Sequence, residues 1–135
     1  MTAEIAIAAA RAALGAAPTV NANAQRVERL DHSGKGYYLV IIGDDNAGTG
    51  IVATDADTAI VMASARIHTR RHLSVDAARA VQLAQVGEAS AVLVWRPCQA
   101  SLSPLYPFWR VTGPLGTRFV DQQERCWDRL VDARA

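Results

Sequence analysis

Apolar residues along this chain fall first at helical spacing, then in short runs of strand length, and the same succession begins again past the middle. Thr2 can cap a helix, Glu4 favours the positive end of its dipole, and the Ala-rich run to Leu14 stops where Gly15 can turn left-handed, so a first helix is predicted here. Pro18 and residues 19–23 break that pattern. Ala24 to Leu30 then extend toward the polar turn at residues 31–36. Tyr37 to Ile42 is β-branched and aromatic at successive positions, the mark of a strand covered on both faces. Thr49 to Thr54 and Ala59 to Ala65 read as a hairpin across the tight turn Asp55-Ala56-Asp57.

A basic connector, residues 66–72, precedes the second round. Ser74 is the expected N-cap of a second helix, with Asp76 in its first turn and Ala77, Val81 and Ala84 at helical spacing until Gly87. Strands are predicted at Ala91 to Arg96 and Tyr106 to Thr112, joined by a long Pro/Ser loop. After the turn at residues 113–116, Arg118 to Asp121 and Arg125 to Val131 should form a last hairpin around Gln122-Gln123-Glu124.

The composition narrows the functional classes. With 135 residues, the chain fits one compact body or two very small units sharing a core. A formal charge of +1 and only 20% charged residues give no field that would recruit nucleic acid or an anionic membrane. The Ala-rich start lacks the basic region of a secretory signal and is interrupted by Glu4 and Arg11. No uncharged run reaches the roughly 18–20 residues that span a bilayer, so a cytoplasmic protein is expected. Cys98 and Cys126 are too few for a disulfide framework; they read as buried free thiols, with a bridge between them as the alternative.

The candidate chemistry is thin. His68 and His72 are four residues apart, with His32 as a distant third, but Arg66, Arg70 and Arg71 would repel a cation; the stretch reads as a solvated linker with no metal. The pairs Asp44/Asp45 and Asp55/Asp57 sit in predicted turns, where Asp bonds its own backbone. Cys98 has no motif that would make it a nucleophile, and Gly43, Gly48 and Gly50 lack the spacing of a phosphate loop. Neither catalysis nor a cofactor is expected.

The two halves repeat one order of elements. Thr2-Ala3-Glu4-Ile5-Ala6 parallels Ser74-Val75-Asp76-Ala77-Ala78, and Val52-Ala53-Thr54 parallels Phe119-Val120-Asp121 if the first half carries one extra residue before its hairpin. The expected fold class is therefore α+β, with two tandem helix-plus-antiparallel-sheet repeats at residues 1–67 and 73–133. This pattern resembles the PepSY family, in which a helix of the type Ser/Thr-x-Asp/Glu-x-Ala leads into an antiparallel sheet with a late hairpin. The closer match is the second half, through Leu73 to Ala78, Phe108-Trp109-Arg110-Val111 and Phe119 to Trp127. Thr54 stands in place of the hairpin Asp in the first half, and Glu124 where such hairpins usually have Gly. The resemblance implies a cystatin-like helix-on-sheet architecture and a binding or inhibitory role.

The most distinctive stretch, Trp95 to Arg110, concentrates aromatics, arginines and prolines, the residue types that dominate interface hot spots. Trp95, Arg96, Tyr106, Trp109 and Arg110 are the candidate binding residues; Trp95, Phe108 and Trp109 read first as core of a sheet covered by the second helix, which leaves Arg96, Tyr106 and the loop between them as the better surface candidates. The expected function is a non-catalytic protein-binding module of inhibitor or immunity type. The alternative is a small-ligand carrier or sensor with an apolar pocket between helix and sheet. A protein partner is expected, and an exposed edge strand would also allow a homodimer.

Overall fold

Thr2 and Gly15 bracket the first helix, α1 (Ala3–Leu14), in a computed structural model that describes residues 2–17, 19–44, 47–66 and 73–132. The Thr2 hydroxyl accepts from the Ile5 amide. Gly15 takes the left-handed conformation at φ 65°, and the Gly15 and Ala16 amides close onto the Ala12 and Arg11 carbonyls. The chain is α+β and divides into two units, Met1–His72 and Leu73–Ala135, so the boundary falls at the end of the basic connector. Among the described residues, no helix is long and apolar enough to cross a membrane.

In the first unit α1 is followed by β1 (Ala22–Arg29), β2 (Gly36–Asp44), β3 (Ala47–Asp55) and β4 (Val61–Ala65), each antiparallel to the next. Val40 and Ile42 of β2 and Val52 of β3 pack against Ala6 and Ala10 of α1. The small helix residues let the helix lie close over the strands. Tyr37 and Leu39, which alternate with that set, are buried as well, so β2 is covered on both faces as its composition predicts. Burial pushes the ionisation of the Tyr37 hydroxyl well above its ordinary value.

Asp55, not Thr54, organises the β3–β4 turn: one Asp55 carboxylate oxygen accepts from the Asp57 amide at 2.8 Å and the Thr58 amide at 2.9 Å. Partial burial would raise the Asp55 pKa, but these amides, the Thr58 hydroxyl and Arg29 outweigh it and hold the carboxyl below its ordinary value. Ala59 takes a left-handed φ of 62°, and the Asp55 amide reaches the Ile60 carbonyl, so β4 starts at Val61 rather than Ala59.

Thr54 lies inward and fully buried, with no hydrogen-bond partner for its hydroxyl among the described residues. A buried polar group without a partner costs about 1–3 kcal/mol, and valine has the same shape without that cost. Thr54→Val is therefore expected to raise stability by about 1 kcal/mol, read as a higher urea midpoint at unchanged slope.

The second unit follows the same order: α2 (Ala77–Ala84), β5 (Ser90–Trp95), β6 (Phe108–Gly113), β7 (Gly116–Val120) and β8 (Cys126–Trp127), again antiparallel in sequence. Asp76 caps α2, its carboxylate accepting from the Arg79 amide at 2.8 Å. Ser74, the expected cap, instead donates to the Gln122 carbonyl at 2.6 Å, while the Gln122 side chain accepts from the Val75 amide. The helix stops with Gln85 left-handed, two residues before Gly87.

Strand alternation puts Leu93, Trp109, Val111 and Val120 on one face, buried together with Ala80 and Ala84 of α2. The opposite face carries the cross-strand row Val92, Arg110, Phe119 and Trp127. β8 is much shorter than the expected run to Val131. Beyond Trp127 the backbone serves other partners: the Leu130 carbonyl accepts from Arg96 and the Val131 carbonyl from the Gln99 amide.

Candidate functional site

Two segments of the second unit frame a concavity of about 230 Å3. One is the β5–β6 loop, contributing residues 100–103 and Tyr106; the other is the β7–β8 hairpin, contributing residues 121–123 and Arg125.

The loop is held by its own polar residues. Cys98 and Ser101 exchange both backbone hydrogen bonds at 3.1 Å. The Ser101 hydroxyl donates to the Ser103 carbonyl, the Ser103 hydroxyl accepts from the Leu105 amide, and the Tyr106 amide donates to the Ser103 carbonyl. Cys98, Ala100 and Leu105 are buried beneath it. This turn explains why β6 begins at Phe108 and not at Tyr106: the Tyr106 amide is committed to the loop, and Pro107 has no amide to offer. What the loop leaves outside is Leu102, 70% exposed, and Tyr106, 48% exposed.

The hairpin is built on one carboxylate. Asp121 is 2% exposed and accepts four hydrogen bonds: from the Gln123 amide at 2.9 Å, the Arg125 amide at 3.0 Å, Arg125 Nε at 2.7 Å and the Trp127 indole at 2.9 Å. The Arg125 guanidinium also lies 5.3 Å over the Trp127 ring. Glu124 adopts a left-handed φ of 63°, the conformation for which glycine is the usual choice, and pairs with Arg79 at 2.7 Å. Gln122 ties the hairpin to the loop by donating to the Pro107 carbonyl, and to the start of α2 through Val75. Both walls of the concavity are thus fixed by hydrogen bonds.

The sequence-derived candidates separate by role. Trp109 is buried, its indole donating to the Val75 carbonyl at 2.7 Å, and Trp95 is buried at the end of β5. Arg96 anchors the chain end, with Asp132 at 2.8 Å and the Leu130 carbonyl at 3.3 Å. Arg110 is half-buried on the face opposite α2, between Val92 and Phe119. Of the five, only Tyr106 lines the concavity. Leu102 lies in the Arg96 to Tyr106 loop that the sequence offers as a surface, though residue type does not single it out, and Asp121 and Arg125 are not among the candidates. A polar run opening on Asp and closing on Arg-x-Trp, directly after a strand, is the signal that could have pointed to the last two.

The remaining candidates are structural or lie elsewhere. His68 and His72 lie outside the described residues, as does Asp45. Among the described residues, no three His, Cys, Asp or Glu side chains group as metal ligands would. Asp57 pairs with Lys35 at 2.9 Å. Cys98 and Cys126 are both free, the Cys126 thiol donating to the Leu83 carbonyl. In comparisons with family models, curated proteins and solved structures, nothing matches this chain.

Proposed function

We propose that this protein is a non-catalytic protein-binding module, of inhibitor or immunity type, and that it presents the loop-and-hairpin concavity of its second unit to a protein partner. The observation that carries this reading is the pairing of exposed Leu102 and Tyr106 with walls already fixed by hydrogen bonds. Exposed apolar groups on a rigid support lose little entropy on binding, which is what makes a small surface effective. The one carboxylate in the concavity favours recognition over chemistry. Asp121 is saturated by four donors and has no lone pair left to take a proton from a substrate.

Size argues against the carrier alternative at this place. A volume of about 230 Å3 lies below the roughly 300–1,000 Å3 of small-molecule sites and suits one or two side chains of a partner. Between helix and strands, the alanines at positions 6, 10, 80 and 84 are fully buried, which favours close packing there over a ligand site.

The succession of elements in the two units supports a tandem repeat of PepSY-like, cystatin-like type. So do the hairpins: Asp55 and Asp121 occupy corresponding places, each followed by a left-handed residue, Ala59 and Glu124, with the extra residue of the first half inside the turn. Binding is tested by recovering the native partner on the tagged protein. Leu102→Ala with Tyr106→Ala is expected to lower affinity at least about tenfold at an unchanged melting temperature, since exposed anchors of this kind contribute 1–2 kcal/mol each to binding. Equal recovery by wild type and the double variant would remove the concavity from the interface.

A further inference from the structure

The Asp121–Arg125 ion pair is lopsided in a way that bears on the partner's chemistry. Its carboxylate is only 3% exposed and is surrounded by two backbone amides and an indole N–H besides the arginine, while the guanidinium is 50% exposed. What a partner meets is the cation. Arg125 is also held in place: Nε is bound to Asp121, and the planar group rests on Trp127. Among the described residues, neither Nη of Arg125 makes a hydrogen bond, so two parallel donors remain on a group that has already lost its rotamer freedom. That arrangement matches a carboxylate approaching edge-on. Leu102 and Tyr106 stand across the same concavity.

Resting on the protein-binding reading above, we infer that the concavity takes an extended peptide segment carrying an acidic residue beside an apolar one. The carboxylate bonds the two Nη groups of Arg125, and the apolar side chain lies against Leu102 and Tyr106. The titratable groups lining the concavity are Asp121, Tyr106 and Arg125. Asp121 is turned inward and consumed, which leaves Arg125 as the charge that selects the ligand.

The experiment uses the full chain, labelled at Arg125 and Trp127, with nuclear magnetic resonance following the Arg125 Nε–H and Trp127 indole signals. The probe is acetyl-Leu-Glu-Leu-amide, with acetyl-Leu-Gln-Leu-amide as its neutral isostere and inorganic phosphate as a second anion. The glutamate peptide should shift both signals saturably, bind at least about tenfold more tightly than the glutamine peptide, as expected of a charge-assisted pair, and lose that advantage in Arg125→Gln. Arg125→Lys should keep only part of it, because the ammonium lacks the fork. Equal binding of the two peptides, no saturable shift with either, or undiminished preference in Arg125→Gln overturns the inference, as does inorganic phosphate binding as tightly as the glutamate peptide. If the native partner still depends on Leu102 and Tyr106 in that event, protein binding stands and only the assigned ligand chemistry falls.

Discussion

Replacing Asp121 with alanine should cost the protein roughly 3 kcal/mol, a large share of the 5–15 kcal/mol that holds a domain of this size together. Four donors converge on that carboxylate, two from the turn backbone and two from the side chains of Arg125, at the end of the turn, and Trp127 of β8. Each hydrogen bond to an ionised group contributes about 1.5–3 kcal/mol, but the space left by the side chain adjoins the concavity, from which water can enter and replace part of the loss, so the sum is well below four such terms. Asp121→Asn keeps one carbonyl oxygen for the Gln123 and Arg125 amides while turning an amide group toward Arg125 Nε and the Trp127 indole, donor against donor. It should lose about half as much. By contrast, Glu124→Gln breaks only an exposed pair with Arg79 and should cost under about 1 kcal/mol. Urea denaturation of the three variants gives the ranking. If Asp121→Ala melts like wild type, the hairpin is not organised by this carboxylate.

Trp109→Ala should be at least as damaging, by about 3–5 kcal/mol, because it empties a large buried site between Leu93 and Val120 on the face toward α2. Trp109→Phe separates the two contributions of this residue. Most of the packing survives, but the carbonyl of buried Val75 loses its donor, at a cost of about 1–3 kcal/mol. Both losses should appear in the isolated protein as lowered melting temperatures. A Trp109→Phe variant that melts normally yet no longer binds the partner would return this residue to the interface and remove it from the core.

Local signals in the sequence carried far. Thr2 and Gly15 mark both ends of α1 because capping is chemistry within one turn, and the apolar composition of residues 37–42 marks a strand covered on both sides because alternation would be wasted there. What stayed hidden depends on partners far away in the chain. Ser74 looks like a better start for α2 than Asp76 until Gln122, 48 residues on, takes its hydroxyl. The run after Trp127 looks like strand until Arg96, 36 residues before Asp132, draws it away from β7. The same limit applied to the site. Trp95 to Arg110 stood out by residue type, but residue type does not say which side chains point inward; the tryptophans went to the interior and Arg96 to the chain end. Leu102 remained outside in a loop where the Ser101 hydroxyl is spent on the Ser103 carbonyl and the Ser103 hydroxyl on the Leu105 amide. Arg125 became part of the site through Asp121 and Trp127.

Site-specific photo-cross-linking in the native cell decides whether the loop-and-hairpin concavity touches a protein partner. A benzophenone side chain would replace Leu102 or Tyr106 in turn, with Leu115, 78% exposed on the β6–β7 turn of the same unit, as the control position. One discrete protein adduct is expected from positions 102 and 106, absent from 115 and lost when Arg125→Gln or Asp121→Ala is added. An adduct of the same partner from 115 alone, or equal capture from all three positions, would contradict that expectation.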